Sequence, residues 1–213
     1  MVTLLAYSLF ETLLMVATSL TVGVVGGYYL GTLLYRIGDQ GLQPKPRLYR
    51  ALSFGVNSVR SVPYIILIVL LIPFTRLLVG SSIGTLAAIV PLSLAAILLI
   101  ARATEDTFKI IPKGLIEMGL SLGASRHQIV AKIIFPEALP SLIDQISSIT
   151  ITLIGFSAMA GTVGGGGLGD LAIRYGYQRY DIAFMVIIVF VLLALVQIVQ
   201  LIGNRCARHY RYK

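Results

Sequence analysis

The chain has 213 residues, of which 57% are hydrophobic and only 12% are charged, with a formal net charge of +8. Soluble domains carry about 25% charged residues, so this composition excludes an ordinary water-soluble domain and indicates an integral membrane protein. Spans of about 20 residues each leave little room for a separate catalytic domain. The single cysteine, Cys206, excludes an internal disulfide framework.

Stretches without Asp, Glu, Lys or Arg predict five transmembrane helices. Their expected bounds are about 12–35, 62–79, 83–101, 145–160 and 182–204. The second span places Arg76 at a membrane edge. A secretory signal peptide opens with basic residues, whereas the first positive residue here is Arg36, so the first span is expected to be retained. The predicted fold class is an all-α integral membrane protein, with one domain over 1–213 and a core of about 8–204.

The distribution of basic residues predicts the orientation of these spans. One side carries most of them: Arg36, Lys45, Arg47, Arg50, Arg60, Arg102, Lys109, Lys113, Arg126, Lys132, Arg205, Arg208, Arg211 and Lys213. The other side carries Arg76, Arg174 and Arg179. Cytoplasmic segments are enriched in Lys and Arg, so the N-terminus is expected outside and the C-terminus in the cytoplasm. Topology therefore explains the net charge, and nucleic-acid binding is not expected.

Within the first span, Gly23, Gly27 and Gly31 recur every four residues. This spacing aligns them on one helix face and favours close approach of another helix. We interpret the stripe as a packing surface and not as a ligand site.

Several kinds of chemistry are missing from the sequence. The predicted spans contain no carboxylate, His or Arg if Arg76 is at an edge, which disfavours proton or sodium coupling, although backbone carbonyls can also bind sodium. The sequence has no phosphate-binding G-x-x-x-x-G-K-[ST] loop, so an ATPase would have to be another chain. His127 and His209 lack neighbours at metal-ligand spacing, and no motif indicates a catalytic nucleophile.

A literal G-x-G-x-x-G pattern occurs at Gly164, Gly166 and Gly169. It follows a membrane span and not a strand, so we interpret it as a hinge or a re-entrant glycine loop on the external side and not as a dinucleotide site.

The predicted cytoplasmic segment 111–140 has the signals of two short helices. Pro112 can open the first helix, and Gly123 suits the position just past its end. Ser125 followed by Gln128 is typical of a capping box that starts a second helix, which Pro136 is expected to stop. The alternative is an amphipathic element that lies on the bilayer without a partner.

This segment resembles the cytoplasmic signature of permease subunits of bacterial ABC importers of type I architecture. The family signature reads E-A-A-x-x-x-G, nine residues, then I-x-L-P, and Glu117, Gly123, Ile133 and Pro136 match its spacing. Met118 and Gly119 replace the two alanines, and Phe135 replaces the leucine. The resemblance implies that this is the coupling segment, which docks on the ATPase subunit through Glu117, Gly123, Ala124, Ile133 and Pro136.

The segments 60–92, 114–125, 136–140 and 151–180 are similar to the permease family of methionine importers. That resemblance implies a homodimer in the bacterial inner membrane, two separate ATPase subunits that bind ATP and Mg, and an external methionine-binding lipoprotein. It also implies D- and L-methionine as substrates and no cofactor in this chain itself. Importers of another amino acid or metabolite, an ion-coupled transporter or channel, and a membrane scaffold or enzyme are the alternatives.

The fourth span is the candidate pore lining, because small and weakly polar residues occur among its apolar ones: Thr150, Thr152, Ser157 and Met159, followed by Gly161. Packing between helices explains these residues equally well. The glycines from 161 to 169 are the candidate external gate.

Overall fold

The computed structural model describes the backbone of residues 1–211 and the side chains of residues 1–210. Within these residues the regular structure is helical throughout. The α-helices are α1 (Val2–Ile37), α2 (Pro46–Arg60), α3 (Tyr64–Val79), α4 (Thr85–Lys109), α5 (Lys113–Ser121), α6 (Arg126–Ile129), α7 (Phe135–Thr162), α8 (Gly167–Leu171) and α9 (Ile182–Arg211). Residues Val130–Ile134 and Ala172–Tyr177 are π-helical. The predicted all-α fold class is confirmed.

Four helical stretches of the described chain are long and apolar enough to cross a membrane: Val2–Ile37, Thr85–Lys109, Arg126–Thr162 and Ile182–Tyr210. The remaining predicted span, the second at 62–79, corresponds to α3, whose 16 residues extend about 24 Å. It qualifies as a span only when counted together with α2, from which it is bent by 106°.

The helices extend beyond the charge-free stretches that predicted them. α1 begins ten residues before the predicted start at 12, and α4 continues eight residues past the predicted end at 101. A charged residue ends an apolar run, but it need not end a helix when its charge is paired or solvated. Lys213, one of the basic residues predicted on the cytoplasmic side, lies outside the described residues.

The amphipathic helix α2 was not predicted from the sequence. Pro46 occupies the first turn of α2, where a backbone N–H has no partner within the helix, so the missing N–H of proline costs nothing. Val56 is its one buried residue, whereas Phe54 is 75% exposed. α2 therefore touches the rest of the chain along a narrow strip.

The core forms where α1 packs against α4. Met15, Leu92, Ala96 and Leu153 are fully buried in this region, with α3 and α7 closing the cluster. Gly23, Gly27 and Gly31 are all buried on the α4 side of α1. Cβ atoms built at Gly23 and Gly27 would lie 2.5 Å from Ala96 Cβ and 2.7 Å from Ile100 Cβ. The predicted packing role of this stripe is thus confirmed.

The expectation that Pro136 stops a helix is wrong. α6 passes through the π-helical turn Val130–Ile134 into α7, and the helix continues past Pro136 and Pro140 to Thr162. Proline removes one backbone donor and clashes with the carbonyl four residues earlier. The carbonyl four residues before Pro136 belongs to the wider π-helical turn Val130–Ile134. Buried Ile129 and Ile134 hold this turn in a cluster with Tyr35 and Phe108.

Candidate functional site

The helix α5 presents an apolar surface at one end of the helical bundle. Met118, Leu120 and Leu122 are 53%, 49% and 81% exposed, although their neighbour Gly119 is buried. Met118 and the C-cap residue Leu122, four positions apart, share a face and expose apolar side chains on the outside of the chain, whereas Leu120 lies on another face of α5. Such patches on otherwise well-packed proteins mark sites of contact with a partner.

Gly119, which departs from the family signature, is explained by its neighbour Ile133. A Cβ atom at Gly119 would lie 2.5 Å from Ile133 Cδ1. Glycine here therefore leaves room for the isoleucine that holds α5 against the π-helical turn. Ile133, predicted as part of the coupling segment, is half-buried at this contact.

The turn after α5 follows the sequence signals closely. Gly123 has φ +78°, a left-handed conformation that side chains rarely adopt, and no heavy atom lies within 4 Å of its would-be Cβ. Ala124 is half-buried in the same cluster as Ile133. The predicted capping box is confirmed, because Gln128 N donates to Ser125 Oγ at 3.3 Å and Ser125 N donates to Gln128 Oε1 at 2.8 Å.

A charged groove lies beside α5. Its open volume is about 370 Å³, and its walls come from α5 and from the turn between α1 and α2. The charged lining residues are Asp39, Lys113, Glu117 and Arg126. Glu117 and Pro136, both predicted for the coupling segment, are exposed. Sequence analysis missed Asp39, which lies 78 positions before Glu117 and belongs to no motif.

A buried ionic cluster ties α2 to α4 at the same end of the molecule. Glu105 is fully buried, and it forms ion pairs with Arg102 and, at 2.6 Å, with Lys109 Nζ. Tyr49 of α2 donates a hydrogen bond of 2.8 Å to Glu105 Oε1. Arg102 in turn donates to Asn57 Oδ1 at 3.0 Å and to Ser53 Oγ at 2.7 Å, both on α2. The cluster thus fixes the amphipathic helix to a spanning helix.

The glycine-rich segment at the opposite end is folded into the protein. Gly167 N donates to Glu11 Oε2 at 2.8 Å, and Leu168 N donates to Thr12 Oγ1 at 2.9 Å. Thr85 Oγ1 donates to the second oxygen of Glu11 at 3.0 Å. One carboxylate therefore joins α1, α4 and the start of α8. No role for Glu11 was predicted from the sequence.

Four of the glycines named as external residues have distinct surroundings. Gly164 and Gly166 have φ of +87° and +80°. Gly161 and Gly169 are buried where α7 meets α8, and a Cβ at Gly169 would overlap the backbone of Ala158. The segment is a tight, packed turn whose shape depends on glycine.

The polar residues named in the fourth span divide between two faces of α7. Thr150 and Ser157 are buried, and their hydroxyls donate to the carbonyls of Ile146 and Ile154 in the same helix. Thr152 and Met159 are exposed. The exposed positions of α7 follow helical spacing and form a weakly polar stripe: Ser148, Thr152, Gly155, Met159 and Thr162.

Among the described residues, no three His, Cys, Asp or Glu side chains are grouped so that they could hold a metal ion. The chain is a bundle of apolar helices with the partly exposed short helix α5 at one end and a packed glycine turn at the other.

Residues 23–212 match the model of the family described as binding-protein-dependent transport system inner membrane component, and the chain belongs to that family. It is thus a multi-pass permease subunit of a transport system. A probable D-methionine transport system permease protein of Vibrio cholerae is 47% identical over 210 residues, covering 99% of this chain and 93% of that relative. The corresponding permease of Pasteurella multocida is 42% identical, with 99% and 97% covered.

Solved structures agree with this assignment. A chain of the MetNI methionine ABC transporter in an inward-facing conformation superimposes with a TM-score of 0.97 at 44% identity, covering 99% of this chain and 97% of that one. A chain of an amino acid ABC transporter solved with histidines gives a TM-score of 0.73 at 18% identity, over 98% and 93% of the two chains, which shows a shared fold.

Proposed function

We propose that two copies of this chain form the permease of an ATP-driven importer of D- and L-methionine in the bacterial inner membrane. The observation that carries the class is α5, which exposes Met118, Leu120 and Leu122 beside a charged groove. The methionine permeases named above, at more than 40% identity over nearly the whole chain, support the substrate.

The α5 surface is the proposed docking site for a separate ATPase subunit that binds ATP and Mg. Its apolar patch supplies buried area, and Glu117, Lys113, Arg126 and Asp39 supply charges that orient the partner. The coupling residues Gly123, Ala124, Ile133 and Pro136 shape and anchor the segment. Because Ile129 and Ile134 are buried in the base of the long helix, displacement of α5 is transmitted to α7.

The proposed translocation pathway lies between two copies of the chain. The exposed face of α7 with Thr152 and Met159 carries small and weakly polar side chains, which fits a path between two copies along a two-fold axis. Thr150 and Ser157, which point into the subunit, contribute to helix packing, and Gly161 to the close approach of α8.

The glycine turn faces the external side in the orientation that the basic residues predict. There it would receive methionine from an external binding lipoprotein. Gly164, Gly166 and Gly169, together with Glu11, hold this end in one shape, which provides a defined surface for that partner.

Co-purification in mild detergent tests the class, and uptake into proteoliposomes tests the substrate. We expect a P-loop ATPase to co-purify with the chain. With the binding protein added, radiolabelled methionine should accumulate with ATP and not with a non-hydrolysable analogue. A triple variant of the exposed apolar residues at α5, Met118→Ser, Leu120→Ser and Leu122→Ser, should lose the ATPase while remaining in the membrane.

Two results would contradict this proposal. Uptake that follows an imposed ion gradient without ATP would indicate a secondary transporter or channel. ATP-dependent uptake of a different amino acid, with no competition by methionine, would keep the class and overturn the substrate.

A further inference from the structure

A polar groove that the mechanism above does not use lies between α7 and α9. It has an open volume of about 360 Å³, within the range of ligand sites. Its polar lining comes from both helices: Asp144, Ser147, Ser148, Gln200, Asn204 and Arg208. We call this site the α7–α9 groove.

The position of the α7–α9 groove connects it to the pathway between the two copies. Ser148 belongs both to the groove and to the exposed stripe of α7. On α9, Gln200, Asn204 and Arg208 recur every four residues and are exposed on one face. Asp144 and Arg208 lie just outside the predicted spans 145–160 and 182–204, at the cytoplasmic end in the predicted orientation, so the groove is open to water there.

The chemistry of the lining fits a zwitterion. A carboxylate on α7 and a guanidinium on α9 line the same cavity, so an ammonium and a carboxylate of one ligand can be bound together. Asp144 already has an interaction within the chain, but a carboxylate has lone pairs for further donors. The Ser147 hydroxyl donates to the carbonyl of Ile143 at 2.8 Å, and its oxygen can still accept a hydrogen bond.

We propose that the α7–α9 groove is a subsite for a free amino-acid zwitterion. Arg208 binds the α-carboxylate, Asp144 receives the α-ammonium, and Gln200, Asn204 and Ser148 complete the hydrogen bonds. The subsite deepens the proposed import function and rests on it for the identity of the ligand, methionine. The subsite lies near the α5 end of the bundle, which is cytoplasmic in the proposed orientation. An imported ligand would therefore reach the subsite after it has passed the external glycine turn.

The test measures binding of radiolabelled L-methionine to the purified permease–ATPase complex without the external binding protein. The competitors are 3-(methylthio)propylamine, which lacks the carboxylate, and 4-(methylthio)butanoate, which lacks the ammonium. We expect saturable binding in which each singly charged analogue competes at least about tenfold more weakly than methionine. Arg208→Gln and Asp144→Asn should each weaken binding by a similar factor, whereas Arg205→Gln, on α9 but outside the groove, should not.

A second measurement covers the case in which a charge variant fails to fold. Ser148→Cys in a Cys206→Ser background should react with a water-soluble charged thiosulfonate, and L-methionine should slow this reaction while the amine analogue does not. Unchanged binding in Arg208→Gln, equal competition by a singly charged analogue, or no protection of Ser148→Cys would each overturn the subsite.

Failure of the subsite is distinguishable from failure of the proposed function. Intact ATP-dependent methionine uptake with any of these contrary results overturns the subsite alone. Uptake of another amino acid overturns methionine as the substrate. The same binding and protection assays, repeated with that amino acid, then decide whether the α7–α9 groove binds it. A complex that transports no amino acid overturns both.

Discussion

Gly123 has a left-handed backbone conformation in the turn after α5, which belongs to the proposed docking segment. Its φ of +78° disfavours a β-branched residue by roughly 1–2 kcal/mol, and no neighbouring atom would obstruct a side chain. We therefore expect Gly123→Val to lower methionine uptake per ATP hydrolysed in the reconstituted complex, because α5 is re-aimed while the fold is kept.

Gly123→Asn is the matched control, since Asn tolerates the left-handed region better than other non-glycine residues. It should preserve most of the coupling. Equal ratios of uptake to hydrolysis in the wild type and in Gly123→Val would contradict the role given to this turn.

Glu11 is expected to be a stability residue at the opposite end. In Glu11→Gln the amide oxygen can still accept from Gly167 N–H, and the NH2 group can donate to the Thr85 hydroxyl, so the variant loses the charge of the acceptor. Hydrogen bonds to charged groups contribute about 1.5–3 kcal/mol, against about 0.5–1.5 kcal/mol for neutral ones. Thermal unfolding of the detergent-purified complex should show a lower midpoint for Glu11→Gln than for Asp106→Asn, a change at an exposed carboxylate. Indistinguishable midpoints would show that the contact contributes nothing.

Partners far apart in the chain mark the limit of sequence reasoning at this scale. The contact between Glu11 and Gly167 spans 156 positions, and no local pattern announces it. The ion pairs of Glu105, in contrast, have a local pattern, because Arg102 and Lys109 lie three and four residues from Glu105, the spacing of helical ion pairs. What the sequence could not show is that α2 covers Glu105 with Tyr49 and so buries the charge.

Among the elements, the seam between α1 and α4 depends most on small residues. A Cβ at Gly27 would lie 2.8 Å from the carbonyl oxygen of Ile97, which is backbone and cannot easily move. Overpacking of this kind costs about 1–3 kcal/mol, so Gly27→Ala should lower the unfolding midpoint of the complex.

Gly55→Ala in α2 provides the comparison. A Cβ there meets nothing within 4 Å, and alanine is favoured over glycine in a helix by up to about 1 kcal/mol. Gly55→Ala should therefore be neutral or slightly stabilising. If both variants shifted the unfolding midpoint equally, the close approach of α1 and α4 would not be the reason that glycine is needed at position 27.

Helix existence could be predicted from the sequence, but only those helix ends that carry a local signal could. Apolar runs located the four helical stretches that are long and apolar enough to cross a membrane, and the capping box at Ser125 located the start of α6. The end predicted at Pro136 failed because a π-helical turn directly before α7 accommodates the proline, and buried neighbours of that turn stabilise it. Ends that depend on tertiary packing leave no local signal.

For the whole molecule, the charge asymmetry that predicted the orientation can be tested with the chain's only cysteine. Cys206 is exposed on α9, between Arg205 and Arg208, on the side that carries most of the basic residues. Since such residues stay in the cytoplasm, a membrane-impermeant maleimide should label Cys206 in inverted vesicles and not in right-side-out vesicles. Tyr180→Cys in a Cys206→Ser background probes the other side, because Tyr180 is 81% exposed beyond the glycine turn, and it should show the opposite pattern. Labelling of Cys206 from the outside would reverse the orientation. A reversed orientation would place α5 outside the cell, where no ATP is available. The same result would therefore also contradict the proposed coupling to an ATPase.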